Sequence, residues 1–141
     1  MALRRDELES LRTAIRNAGL RATPSRIAVL HVLRSAGSPV SHGDVVAKLA
    51  SQAWDPATIY RNLTDLSDVG LARRTDVGDH VWRFEAVTGH QASAHPHFVC
   101  TECGSVECLP DLEYVTRAKA PRAVRLKRVE IQLRGPCDAC M

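Results

Sequence analysis

The sequence predicts an α+β chain in two parts: a winged helix-turn-helix over residues 1–86 and a small α/β unit over 95–141, joined by a linker at 87–94. Three observations predict it. Four helix patterns with their own start and stop signals follow one another within seventy residues, then give way to a hairpin pattern. A short run of small and polar residues interrupts both. Beyond it stand two Cys-x-x-Cys pairs, Cys100/Cys103 and Cys137/Cys140, with 33 residues between Cys103 and Cys137.

The first helix is predicted over 6–18, where Leu8, Leu11, Ile15 and Ala18 recur at helical spacing and Gly19 supplies the stop. Thr23-Pro24 opens the second, with threonine as cap and proline in the first turn, and Ile27, Leu30 and Leu33 form its buried stripe up to Gly37. Ser41-x-x-Asp44 has the form of a capping box for a third helix carrying Val45, Val46 and Leu49. Asp55-Pro56 repeats the cap-plus-proline start, and Ile59, Leu63 and Leu66 give the fourth helix its apolar face up to Gly70. Leu71–Thr75 and His80–Glu85, turned at Val77-Gly78-Asp79, form the hairpin. On the winged-helix reading the helix from Asp55 to Val69 is the recognition helix. Its outer face presents Thr58, Tyr60, Arg61 and Thr64, side chains able to reach phosphates or base edges. Arg73, Arg74 and Arg83 on the hairpin, and Arg21 and Arg26 around the second helix start, are expected on the DNA backbone.

Residues 87–94 read as linker. After it, 97–100 and 105–109 are predicted as strands turned at Gly104, Pro110-Asp111 as the start of a helix to Lys119, and 124–133 as a strand kinked at Lys127-Arg128. A unit of about 50 residues buries little by itself, so a metal staple and dimerisation through its sheet are expected.

Two knuckles of two thiols are what a tetrahedral all-cysteine zinc site requires, so Cys100, Cys103, Cys137 and Cys140 are expected to hold a structural zinc. Two disulfides are the competing reading. Met1–Arg16 is charged throughout and has no apolar run, so no secretory leader is expected and the thiols should stay reduced. Cys108 is left over as a buried small hydrophobe, a redox-reactive thiol or a further ligand. His95 and His97, two apart, share a face in a regular strand, and Pro96 still allows both imidazoles to reach one ion.

The totals exclude little. The chain has 141 residues, a net charge of +3 and no apolar run of membrane-spanning length, so no membrane partner is expected. Residues 1–85 hold twelve basic and ten acidic residues, and the remainder seven and six, so any basic patch must be local.

The order Gly-Leu-Arg-x-Thr-Pro-x-Arg (19–26), Ala-Thr-Ile-Tyr-Arg-Asn-Leu (57–63), Arg-Phe-Glu (83–85), His-x-His-Phe-Val-Cys-x-x-Cys-Gly (95–104) and a terminal Cys-x-x-Cys resembles the ferric uptake regulator (Fur) family over nearly the whole chain. The resemblance implies a cytoplasmic bacterial repressor: a homodimer on a palindromic duplex, with a structural zinc at the four knuckle cysteines. It also implies a second, regulatory divalent metal at the hinge, with Glu85, His95 and His97 as ligands. A position usually acidic in the family is Cys108 here, with Glu107 beside it, and one usually histidine falls at Pro39, near His42. His80 and His90 are further candidates. A third metal site of many members is not expected, because Ala94, Pro96 and Val129 stand at its positions. In such a switch the metal clamps the two domains and fixes the spacing of two recognition helices.

Thiolate ligation by Cys108 favours zinc as the sensed metal, whereas an oxygen ligand such as Glu107 leaves iron, manganese or peroxide sensing open. With iron, peroxide sensing would proceed by oxidation of His95 or His97; Cys108 as a thiol sensor is a further alternative. Zinc is favoured. Two other classes account for the residues less well: a zinc hydrolase using Glu85, His95 and His97 with Glu107 as base, which lacks any supporting motif, and a zinc-knuckle adaptor, which leaves the helical half without a role.

Overall fold

A computed structural model describes residues 3–88, 95–117 and 119–141. The chain divides into two compact units, Met1–Thr88 and Gly89–Met141. Most of the predicted linker, with Ala94 and the candidate ligand His90, lies outside the described residues.

The first unit runs α1 (Arg5–Asn17), α2 (Pro24–Ser35), β1 (Val40–Ser41), α3 (His42–Lys48), a 3₁₀ turn (Ala50–Gln52), α4 (Pro56–Asp68), β2 (Ala72–Asp76) and β3 (Trp82–Ala86). The helix starts lie where the capping residues put them. Thr23 Oγ1 accepts the Arg26 N–H at 3.3 Å, and Asp55 Oδ1 accepts that of Ala57 at 2.7 Å. Ser41 and Asp44 close a reciprocal capping box, each side chain accepting the other's backbone N–H at 3.1 and 3.0 Å. Gly70, at φ +81°, turns the chain out of α4 in the left-handed conformation that glycine adopts without steric cost.

Leu11 and Ile15 of α1, Leu30 and Leu33 of α2, Val45 of α3, and Ile59, Leu63 and Leu66 of α4 form one core, closed by Phe84 of β3 at 1% exposure. The strands form an antiparallel sheet in the order β1-β3-β2, with Arg74 opposite Phe84 and Asp76 opposite Trp82. The two-residue β1 was not foreseen; it pairs Val40 with Phe84 and ties the start of α3 to the hairpin.

Polar contacts join α2 to α4 as well. Asn62 is buried and donates to Ser25 Oγ at 3.0 Å. Arg26 donates through Nη2 to Asp65 at 2.8 Å and through Nη1 to the Arg21 carbonyl at 2.7 Å.

The second unit is a three-stranded mixed sheet, β5-β4-β6, built from β4 (His97–Cys100), β5 (Val106–Cys108) and β6 (Gln132–Gly135). β5 runs antiparallel to β4 and β6 parallel to it. Two sequence expectations are corrected here. No helix forms over 110–119: among its described residues the segment beyond the turn at 110–111 is irregular, with Leu112 40% and Val115 99% exposed. Two apolar side chains with no surface to cover them do not hold a helix that short. The strand expected at 124–133 is instead a one-turn helix, α5 (Arg122–Arg125), followed by β6. Lys127, at φ 55°, ends that turn, so the kink falls where the phase changes but separates helix from strand rather than two strand segments. Pro121 as cap and an Arg-Ala-Val-Arg run favour the helical turn over an alternation only two residues deep.

The α2–α4 ion pair sets the orientation of α4, and Arg26 is only 13% exposed at its side chain. Asp65→Ala, which leaves a half-buried guanidinium without its carboxylate, should lower unfolding stability by about 1–3 kcal/mol in urea titration.

Candidate metal centres and nucleic-acid interface

In the first unit, α4 turns Ile59, Asn62, Leu63 and Leu66 into the core and leaves Ala57, Tyr60 and Arg61 exposed, with Thr58 and Thr64 half-buried beside them. A shallow depression of about 590 Å³ on this face is lined by His42, Ala57, Tyr60, Arg61, Thr64 and Asp65. Tyr60 is held edge-on by the His42 ring, 5.3 Å between centroids, and His42 Nε2 lies 2.8 Å from the Pro56 carbonyl oxygen. The Thr64 hydroxyl donates back to the Tyr60 carbonyl at 3.1 Å. Arg21 is exposed beside the start of α2.

Not every arginine assigned to this surface stands on it. Arg26 is spent on Asp65 and on the Arg21 carbonyl. Arg73 faces Glu85 across the hairpin, Nη1 to Oε1 3.6 Å, and Arg83 pairs with Asp79 at 2.8 Å. Glu85 itself is 5% exposed on β3. Arg74 is exposed and lies 5.2 Å above the Trp82 ring.

In the second unit the sheet builds the four-cysteine group. Parallel pairing of β6 with β4 sets Gly135 beside Cys100, and the Thr101 N–H donates to the Gly135 carbonyl at 3.0 Å. The second knuckle therefore begins next to the first. Each knuckle closes on itself: Gly104 N–H to the Cys100 carbonyl at 3.1 Å, Cys140 N–H to the Cys137 carbonyl at 2.9 Å. The four sulfurs all lie within 4.8 Å of one another, and those of Cys103 and Cys137 are 3.8 Å apart. Sulfurs at about 2.3 Å from a tetrahedral zinc stand about 3.8 Å apart, so the donor set fits that ion.

The backbone is prepared for thiolates. The N–H groups of Cys103, Glu102 and Cys137 point at Cys100 Sγ from 3.4, 3.4 and 3.3 Å. The Cys103 N–H, with those of Cys137 and Glu102, brings the Cys100 thiol down to about 6. Cys140 moves the other way, to about 12, chiefly through hydrogen bonding with the Cys137 sulfur. Neighbouring sulfurs share protons when no cation offsets their charge; a bound dication removes that constraint.

A second donor group sits at the entry to β4, on its first residue and on β5. His95 and His97 are 9% and 3% exposed, with ring centroids 4.7 Å apart and planes inclined by 56°. Cys108 is directly opposite His97 in the ladder, so both side chains leave the same face, and the donor atoms of His95, His97 and Cys108 lie within 4.8 Å of one another. Glu107 is opposite Phe98 and is exposed on the other face. The alternative in which Glu107 takes the place beside the histidines is therefore corrected: one step in register sends it away.

The model of the ferric uptake regulator family matches residues 17–134. A curated relative, the peroxide-responsive repressor PerR of Staphylococcus aureus, is 32% identical over 95% of this chain and 91% of its own length. The chain belongs to the ferric uptake regulator family. The fold agrees. The Helicobacter pylori ferric uptake regulator, described as having three functional metal-binding sites, superposes with a TM-score of 0.68 at 18% identity, covering 96% of this chain and 91% of that one. The Vibrio cholerae ferric uptake regulator gives 0.67 at 24% identity, covering 89% and 98%. The protein is thus a metal-responsive regulator of the Fur family, a family of transcriptional regulators rather than enzymes. No helix among the described residues is long and apolar enough to cross a membrane.

Of the other candidate histidines in this Fur-family regulator, His42 is engaged by Pro56 and Tyr60, and His80 is exposed at the hairpin turn with φ 61°. Neither belongs to a metal-donor group among the described residues. The sequence reading missed Asn62 and His42's support of Tyr60. Asn62 sits at the helical spacing of the core stripe between Ile59 and Leu66, a polar residue on an apolar face that asks for a partner.

Zinc content is the direct check on the four-cysteine group. Cys100→Ser should lower bound zinc by one equivalent per chain in elemental analysis, with loss of thermal stability in the second unit. Unchanged content would assign the metal elsewhere.

Proposed function

We propose that this chain is a zinc-responsive repressor that binds a palindromic duplex as a homodimer in the bacterial cytoplasm. Residues 1–86 are the DNA-binding domain, 87–94 the hinge and 95–141 the dimerisation domain, stapled by a structural zinc on Cys100, Cys103, Cys137 and Cys140. The observation that carries the choice of metal is the β4–β5 register, which sets a thiol rather than a carboxylate beside His97. A nitrogen and sulfur donor set favours zinc over iron or manganese.

Glu85 is the further ligand in this reading, supported by its place in the family motif Arg-Phe-Glu and by its burial at the end of β3. A bound dication supplies a cross-link between donors separated along the chain. Glu85 and His95 are ten positions apart, on either side of the hinge. Recruiting both to one site restricts the DNA-binding domain relative to the dimerisation domain and so sets the separation of two α4 helices in the dimer. Within each DNA-binding domain, Arg61, Tyr60, Thr58 and Thr64 read or grip the duplex, and Arg21 adds a phosphate contact. Metal thus selects the binding-competent arrangement by its differential affinity for it.

The 32% identity to a peroxide-responsive repressor favours a second reading, in which the same donors hold iron and respond to peroxide. Metal content separates the two. Wild type refilled with zinc should hold two equivalents per chain, and Cys108→Ser one; iron or manganese taking the second place irrespective of Cys108 would favour the peroxide reading. Arg61→Ala should weaken binding to a duplex selected from a random-sequence pool by zinc-loaded wild type by about tenfold or more, the ~1–3 kcal/mol of a specific base contact. Wild-type affinity in that variant would remove α4 from the interface.

A further inference from the structure

Beside α2 the first unit leaves a space that its own side chains do not fill. Ala28, His31, Val32 and Ser35 recur at i, i+3, i+4 and i+7, a helix face adjoining the core stripe of Ile27, Leu30 and Leu33. Two of the four are small, so little reaches from this face toward the end of α3 and the 3₁₀ turn after it. Between them lies a cavity of about 360 Å³, within the size range of small-molecule sites.

Its lining has two parts. Leu3, Ala28, Val32 and Leu49 form apolar walls. Val32 belongs to the unit's core and Leu3 and Leu49 pack against that core, so the walls are supported from behind. The rest comes from His31, Ser35, Lys48, Ser51 and Gln52, which offer an imidazole, two hydroxyls, an amide and one ammonium. Among the described residues no carboxylate lines the cavity, and Lys48, which is exposed, makes no ion pair.

A neighbouring hollow supplies the contrast. It shares His31 and Ser35 and has the same volume, about 360 Å³, but Asp6 and Glu7 line it together with Arg34. Two carboxylates there oppose an anion, whereas the single fixed charge of the α2–α3 cavity is positive. A cation would meet Lys48 with like charge. A phosphate monoester would bring close to two negative charges to one lysine. An apolar body carrying one carboxylate matches both the walls and the charge.

We propose that this cavity binds a small monocarboxylate, its hydrocarbon chain or ring on Leu3, Val32 and Leu49 and its carboxylate at the rim with Lys48. Ser35 and Ser51 supply further donors from the same lining. The site lies in the first unit and shares no residue with the four-cysteine group or with His95, His97 and Cys108. No residue of α4 lines it, so the ligand does not compete with a duplex for Tyr60 or Arg61, and the inference stands apart from the DNA-binding reading.

The test uses full-length zinc-loaded protein and octanoate below its micellar range, followed by calorimetry and by amide proton–nitrogen NMR spectra. Octanoate should bind one equivalent per chain and shift the amides of Ala28, Ser35, Leu49 and Gln52. Octanol should bind about two- to fivefold more weakly, the value of one exposed ion pair. That preference should vanish in Lys48→Gln, whose affinity for the alcohol stays at the wild-type level. Ala28→Phe, which fills the cavity, should abolish binding of both while the thermal transition is retained. If that variant fails to fold, Lys48→Gln decides alone, since Lys48 is exposed. Absence of saturable binding by wild type would overturn the site. So would shifts confined to residues beside the zinc groups, where a carboxylate can ligate the metal directly, or octanoate binding that neither substitution alters. Equal affinity of wild type for octanoate and octanol would overturn the anionic class.

Discussion

The alternation of one four-residue strand underlies the second unit. β4 is the middle strand of its sheet, and successive side chains leave opposite faces. His97 points one way, toward Cys108; Cys100, three residues on, points the other, toward the knuckles. Two donor groups of different chemistry are thereby kept apart by the thickness of a sheet. A one-residue slip of β5 against β4 would exchange Cys108 for Glu107 or Leu109 and change the class of metal the histidines favour. The knuckle helps prevent that slip: the Cys100 N–H donates to the Ser105 carbonyl at 2.9 Å, anchoring the ladder at its closed end.

The first unit solves a different problem, holding one helix face outward at a fixed tilt. Apolar packing of Ile59, Leu63 and Leu66 supplies the attraction but little directional preference. The buried Asn62–Ser25 hydrogen bond and the Arg26–Asp65 pair supply direction, because each has a narrow range of acceptable geometry. His42, from the first turn of α3, adds a third constraint at the opposite end of α4 by bracing Tyr60 and the Pro56 carbonyl.

Local signals were legible in the sequence where chemistry is local. Thr23, Ser41 and Asp55 each mark a helix start within hydrogen-bonding reach of the residues that name it, and the core stripes follow from period alone. Cysteine spacing located the four-sulfur group for the same reason. What depends on pairing across the chain was less visible. Whether Cys108 or Glu107 faces His97 is a matter of register, and neither residue's own neighbours decide it. The region after Leu109 misled because its apolar residues are few and stay exposed in the single chain: Leu112, Val115 and Leu126 match more than one period, and no packed surface selects among them.

Arginine bookkeeping explains why bulk charge was silent about DNA. Twelve basic residues precede residue 86, against ten acidic, a balance that suggests no polyanion partner. Yet half of the acids are paired inside the unit. Arg4, Arg12, Arg26, Arg73 and Arg83 each have a carboxylate within 4.0 Å: Glu7, Glu9, Asp65, Glu85 and Asp79. Arg21, Arg61 and Arg74 make no ion pair among the described residues, and they mark the start of α2, the outer face of α4 and the wing. On those three surfaces the local field is set by these side chains, not by the total. Net charge averages over pairs already neutralised at contact distance, and screening hides them from anything a Debye length away. Three guanidinium groups without an ion pair on these surfaces, in a unit of near-zero balance, therefore favour a small, local set of phosphate contacts over the broad electrostatic adhesion of a strongly basic domain.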